Sequence, residues 1–250
     1  MNDYSSLFDL RHRLSLSETL DELLGAPLQR ERQEQGQRAY LGASIIGRPC
    51  PRAIQYSFLG TPQDPGSEFT GQKLRIFHRG HEGEKWMIRW FRQAGFDLRT
   101  EKKQNGEQFG FEACDGRFSG HCDGVFCAGP TIMLYPALWE NKVLGAKGIA
   151  KLKKDGLKTA YPEYWAQVQI YMAYMGLEAN PALFTALNAD TMEIHAEQVS
   201  FDASEAQRVS DRAVTVLRAC DAGVQLPRIA QNADFFVCKW CDFAQRCWAA

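Results

Sequence analysis

"GHCDGVFCAGPTIMLYPALWENKVL", residues 120–144, holds two β-prone runs separated by a Gly-Pro turn. Successive side chains on a strand point to opposite faces, so Glu140 and Lys142 share one face and Asn141 takes the other. Their neighbours Leu138, Trp139, Val143 and Leu144 are apolar. A charged pair inside an apolar strand needs a partner, and a metal ion shared with Asp123 on the neighbouring run supplies one. If the two runs pair, two carboxylates and an ammonium converge at one sheet end. Oxygen ligands of this kind suit a hard divalent cation, held by one or two carboxylates and several waters. Such an ion activates water and neutralises a phosphate during transfer, and a lysine two residues after the glutamate can hold the attacking water. Taken alone, Asp followed by Glu-x-Lys is also the pattern of a solvated strand face.

Upstream, apolar periodicity predicts a helix over 76–94, with Trp86, Met87, Trp90, Phe91 and Ala94 on one face and Gly95 at its C-cap. "FDLRT" and "QFGFEACDGRF" read as further short strands with Asp-Gly turns. Downstream lies a lysine-rich connection, then a helix across "PEYWAQVQIYMAYMGL", opened by Pro162 and closed by Gly176. "ALFTALNA" and "MEIHAEQVSF" read as strands, and Asp202 with Glu205 caps a last long helix. The order is α-β-β-β-α-β followed by β-α, an α/β (α+β) sandwich around one mixed sheet. Residues 1–40 form a helical extension, opened by a Ser15–Glu18 capping box and interrupted at Pro27, and 41–250 a single domain.

The net charge of −1 excludes a polycationic coat, so nucleic-acid binding requires a local basic patch. One exists: Lys147, Lys151, Lys153 and Lys154 fall in "KGIAKLKKDG". Such lysines set affinity and salt dependence rather than sequence choice, and on any protein they also serve as plain solvated surface. Tyr161, Tyr164 and Trp165 are candidates for stacking on single-stranded bases, or for the core. No apolar run is long enough to span a membrane, and residues 1–20 lack the apolar core of a signal peptide. The expectation is a cytoplasmic protein whose thiols stay reduced.

Eight cysteines then ask for an explanation. Cys238, Cys241 and Cys247 follow a Cys-x2-Cys-x5-Cys spacing, which suits Zn²⁺ or an iron–sulfur centre, both held by soft thiolates. Cys114, Cys122, Cys127 and Cys220 read as buried small hydrophobes.

"GHCDGVF…WENK" resembles the Asp…Glu-x-Lys signature of the PD-(D/E)XK nuclease superfamily, with its restriction-endonuclease-like α-β-β-β-α-β core. Gln167 and Tyr171 in "QVQIY" resemble the Gln-x-x-x-Tyr motif of the RecB-like branch. Glu84 in "RGHEGEKW" stands where RecB-type nucleases carry histidine and lambda-exonuclease-like members glutamate; His81, one turn earlier, is the alternative. Cys50 in "RPCPRAIQYSFLG" together with the C-terminal three resembles the iron–sulfur nucleases of the CRISPR-associated Cas-four and AddB types. In these, one cysteine precedes the core, three follow it, and all four hold a 4Fe–4S cluster.

The resemblance implies Mg²⁺ or Mn²⁺ on Glu84, Asp123, Glu140 and the Asn141 carbonyl, with Lys142 activating water. It implies DNA contact by Gln167 and Tyr171, and a cluster on Cys50, Cys238, Cys241 and Cys247 stapling the two ends, with Zn²⁺ as the alternative. The implied activity is a DNA exonuclease on ends or single strands. The settings are recombination or repair, including phage-encoded forms, or CRISPR spacer processing with adaptation proteins; related nucleases form rings. Asn141 departs from the apolar residue common between Glu and Lys. A catalytically silent end-binding subunit and a zinc-stapled interaction protein are the rival readings.

Overall fold

The capping box forms as the sequence dictates, the Ser15 hydroxyl accepting the Glu18 N–H (3.2 Å) and the Glu18 carboxylate accepting the Ser15 N–H (2.7 Å). The computed structural model describes residues 15–36, 38–102 and 106–249; the rest of the predicted 1–40 extension, 1–14 and Gln37, lies outside them. In chain order the elements are α1 (Leu16–Glu34), β1 (Leu41–Gly42), α2 (Ala43–Ile46), α3 (Pro51–Phe58), α4 (Gly71–Gln93), β2 (Asp97–Arg99), β3 (Gly110–Ala113) and β4 (Phe118–His121). There follow β5 (Gly124–Ala128), β6 (Ala137–Leu144), α5 (Ala146–Ala160), α6 (Pro162–Met175), β7 (Ala182–Asn188), β8 (Ile194–Val199) and α7 (Ala203–Asp221). The short α8 (Phe236–Lys239) and α9 (Ala244–Trp248) carry the C-terminal cysteines.

Two expectations at the first helices are corrected. Pro27 does not interrupt α1, which runs through it along α4. And α4 starts at Gly71, where Thr70 accepts the Lys73 N–H at 3.2 Å. Its first turn, Gly-Gln-Lys, has no apolar period to announce it.

The strands form two sheets instead of one. The larger is ordered β2-β5-β6-β7-β8, with β6 and β7 parallel and the other pairs antiparallel. The smaller is β1-β4-β3. The chain passes from one to the other at Cys122 and Asp123, between β4 and β5. Of the two Asp-Gly pairs in 110–128, Asp115-Gly116 makes the β3–β4 turn, with positive φ at Cys114, Asp115 and Gly116. Asp123 instead stands at the start of β5, beside β6.

The crossover between the parallel strands β6 and β7 is made by α5 and α6, so the lysine-rich connection is itself a helix, kinked at Gly156 (φ 69°). Its buried face is Ile149, Leu152, Leu157 and Ala160; lysines and glycines dilute that pattern in the sequence. One face of the β6–β7 sheet meets α5 and α6 through Leu138, Phe184 and Ala186. The other meets α4 through Trp139, Leu183 and Leu187. Helix α6 is buried without interruption from Ala166 to Met172. Among the described residues no helix is long and apolar enough to cross a membrane.

Candidate active site

Strand pairing brings the charges of β5 and β6 together. Gly124 pairs with Trp139, so Asp123 falls beside Glu140, and the Asn141 N–H donates to Asp123 Oδ2 at 2.7 Å. Glu140 is 1% exposed, and its Oε1 accepts from the Lys142 ammonium. Lys142 lies on the face turned to α6, 5.1 Å from the Tyr164 ring centroid. Asn141 points away: its Oδ1 accepts from Thr185 (2.8 Å), whose oxygen accepts the Trp139 indole N–H (2.9 Å). Glu84 arrives from α4. That helix approaches β6 closely at Gly83, where a Cβ would stand 2.5 Å from Val143 Cγ2, so only glycine fits.

The three carboxylates act on one another. Glu84 is pushed up to about 7, first by burial and then by the charge of Asp123, against relief from Lys142. Glu140 is pushed up to about 8 by burial and by Asp123. Burial raises Asp123 as well, while Lys142, the Asn141 N–H and His81 pull it back. Lys142 is raised despite its burial, because Glu140 and Asp123 hold its charge. Glu140 Oε2 is buried with no hydrogen-bond partner. His81 itself is exposed, one turn before Glu84.

Gln167 and Tyr171 are 5% and 2% exposed and face inward. Tyr171 donates to the His121 carbonyl at 2.7 Å, and Gln167 donates to the Tyr171 oxygen at 3.2 Å. Gly120 leaves room for that ring, since a Cβ there would lie 2.7 Å from Tyr171 Cε1. The pair therefore fixes the end of β4 just before Asp123. On α5, Lys147, Lys151, Lys153 and Lys154 are all exposed; Lys151 donates to the Ala160 carbonyl (2.5 Å) and Lys153 pairs with Glu193 (2.5 Å). Tyr164 packs on Tyr161 (5.2 Å) and faces Lys142, a contact that nothing in the sequence pattern singles out.

Cys50, Cys238, Cys241 and Cys247 line one cavity of about 270 Å³. All four are free thiols. Burial raises Cys241, and neighbouring Cys50 and Cys247 add to it. Among the described residues, however, no three His, Cys, Asp or Glu side chains are arranged to hold a single metal ion. The cavity wall is pinned by groups that sequence reading passed over. Asp64 accepts the N–H groups of Gln245 (2.6 Å) and Arg246 (3.1 Å), and Arg52 donates to the Leu226 carbonyl (2.6 Å) and to Cys247 Sγ (3.7 Å). Of the other cysteines, Cys122 is buried as expected. Cys114 is exposed, because it sits in the left-handed β3–β4 turn, and Cys127 and Cys220 are half-buried.

No protein-family model matches the chain, and no curated protein matches it either. Solved structures do. The crystal structure of an alkaline exonuclease, LHK-Exo, from Laribacter hongkongensis superposes with a TM-score of 0.51 at 16% identity, over 77% of this chain and 93% of that one. The same exonuclease in complex with dAMP gives 0.50 at 16% identity, over 81% and 93%. The chain shares the fold of an exonuclease. At this identity the likeness is one of fold: a mixed α/β sheet core resembling the restriction-endonuclease-like fold.

Glu84, Asp123 and Glu140 offer oxygen donors of the kind a hard divalent cation takes, although among the described residues no three such side chains are arranged around a single ion. An unpartnered buried carboxylate oxygen beside two further carboxylates is a demand for a cation. The proton balance gives a test. Glu84 and Glu140, raised to about 7 and about 8, bind protons in the fold over a range where unfolded glutamate has lost them. Their contribution to stability is therefore full below the unfolded value and lost as pH rises through the folded ones. In EDTA the melting temperature should fall between about pH 5 and about pH 8. Added Mg²⁺ should restore it, more at the upper end, because only ionised carboxylates bind the ion. A Mg²⁺ effect that ignores pH would contradict this reading.

Proposed function

We propose that the chain is a metal-dependent deoxyribonuclease, an exonuclease acting on DNA ends or single strands. The observation that carries the proposal is the partnerless Glu140 Oε2, set among Glu84, Asp123 and Lys142 on an exonuclease fold. Glu84, Asp123, Glu140 and the Asn141 carbonyl would hold Mg²⁺ or Mn²⁺, which supplies Lewis-acid activation of water and charge neutralisation at phosphate. Lys142, steered by Glu140 and the Tyr164 ring, holds the attacking water by its ammonium and stabilises the negative charge gathering on the phosphate oxygens. The Asn141 N–H keeps Asp123 aimed. Tyr171 and Gln167 position the strand end that carries it, and the exposed Lys147 and Lys154 would hold phosphates. The solved exonuclease binds dAMP in one of its structures, a nucleotide of the kind that exonucleolytic release produces.

The resemblance of Cys50, Cys238, Cys241 and Cys247 to the cysteines of iron–sulfur nucleases favours a 4Fe–4S cluster in the thiol cavity, with zinc as the alternative. Four thiolates on one zinc, at about 2.3 Å each, must converge on a point. Cys50, Cys238, Cys241 and Cys247 line one cavity of about 270 Å³, and among the described residues no three of them are arranged around a single ion. The cluster's role is to staple the segment before α3 to the C-terminus. Recombination or repair, or CRISPR spacer processing, are the settings that such a nuclease serves.

Linear and covalently closed circular DNA with Mn²⁺ separate the alternatives. Release of mononucleotides from the linear form alone is expected. Cutting of the closed circle would make the enzyme an endonuclease, and intact DNA in every lane would leave an end-binding subunit.

A further inference from the structure

Trp240 is 87% exposed, although a large aromatic side chain is normally among the more buried. It sits on a fixed turn between two of the cavity thiols: the Cys238 N–H donates to the Phe235 carbonyl (2.8 Å) and the Cys241 N–H to the Cys238 carbonyl (3.1 Å). Phe236, 68% exposed, opens the short α8 that ends just before Trp240, edge-on to Phe235 at 5.2 Å. The indole therefore projects from the rim of a cavity whose charged lining is Arg48, Arg52 and Arg228 against Asp242 alone. Arg48 is exposed, and Lys239 adjoins Trp240 with only a surface pair to Asp234 at 3.6 Å. Such a pair contributes little and exchanges easily for a phosphate. Arg52 and Arg228 turn inward to the Leu226 and Cys247 carbonyls, so the outward-facing cations beside Trp240 are Arg48 and Lys239.

We propose that Trp240, with Arg48 and Lys239, is a contact site for single-stranded DNA at the thiol-cavity end of the molecule, distinct from the carboxylate cluster. A base stacks on the indole, and its phosphates lie on the two cations. Flat aromatic surface ringed by positive charge is what a strand requires, since every base has a π-face and every nucleotide a charge. Protein interfaces are also rich in Trp and Arg, so a protein partner is the outcome that failure to bind oligothymidylate would leave. The choice of DNA as the polyanion rests on the nuclease reading; the platform itself does not.

The test is fluorescence anisotropy of a labelled oligothymidylate in EDTA, where nothing is cut. Trp240→Ala should bind ~10-fold more weakly, the size of one lost stack, and Trp240→Phe should keep most of the affinity. Arg48→Ala should lower the slope of affinity against salt by about one phosphate contact. Equal affinity of wild type and Trp240→Ala would overturn the proposal, as would a wild type that binds no oligothymidylate. Cleavage run in parallel keeps the two readings apart. A wild type that cuts DNA but shows no Trp240 effect removes the strand site alone. A Trp240-dependent affinity in a protein that never cuts removes the nuclease reading alone.

Discussion

Lys142→Ala is expected to lower nucleotide release by about a thousandfold and to destabilise the fold by about 3 kcal/mol near pH 8. Both effects have one cause. The ammonium is the cation that acts on Glu84, Asp123 and Glu140 together, and it holds Glu140 Oε1 directly. Its removal leaves Glu140 with both oxygens unpartnered, 1% exposed and repelled by its neighbours. Because protons can replace the lost cation, the stability deficit should shrink as pH falls toward about 5. Mg²⁺ should shrink it too, without restoring turnover. Urea unfolding across that range, beside a cleavage assay, separates the two consequences. An active, equally stable Lys142→Ala protein at pH 8 would show that the lysine only decorates the sheet.

With the proposed 4Fe–4S cluster in the thiol cavity, Cys241→Ser is expected to lower the iron of anaerobically purified protein from about four atoms per chain to nearly none, with loss of the brown colour. Chain-end docking should loosen but not vanish, since Asp64, Arg52 and Gln55 hold the same segment by hydrogen bonds to Gln245, Arg246, Cys247 and Leu226. Trypsin sites at Lys239 and Arg246 should open accordingly. Cys114→Ser, in an exposed turn, should change nothing. Iron analysis and limited proteolysis read both. A colourless wild type with one zinc per chain would replace the cluster by a zinc staple.

Much of this was legible in residues alone, for identifiable reasons. Alternation on β6 announces Glu140 and Lys142 on one face, because charges within an apolar run are conspicuous. The aromatic period of α4 and the stop at Gly95 (φ 87°) are equally plain. What stayed hidden depends on partners distant in sequence. The second sheet arises because β4 pairs with β1, a two-residue strand too short to leave a pattern. Helix α5 was concealed by its lysines. Gln167 and Tyr171 lie on the helix the sequence predicts, but whether they face a strand or the His121 carbonyl is decided by the depth of α6, which no local spacing encodes. Asp64 and Arg52 carry no local signal either, because their bonds cross most of the chain.

The most direct test of the central claim is release of nucleotides from 5′- and 3′-end-labelled DNA by anaerobically purified protein, with Mg²⁺, with Mn²⁺ and with EDTA. Stepwise release with either metal, abolished by EDTA, is the expected result. DNA that stays intact with both metals, in a protein that is folded and binds them, would contradict it.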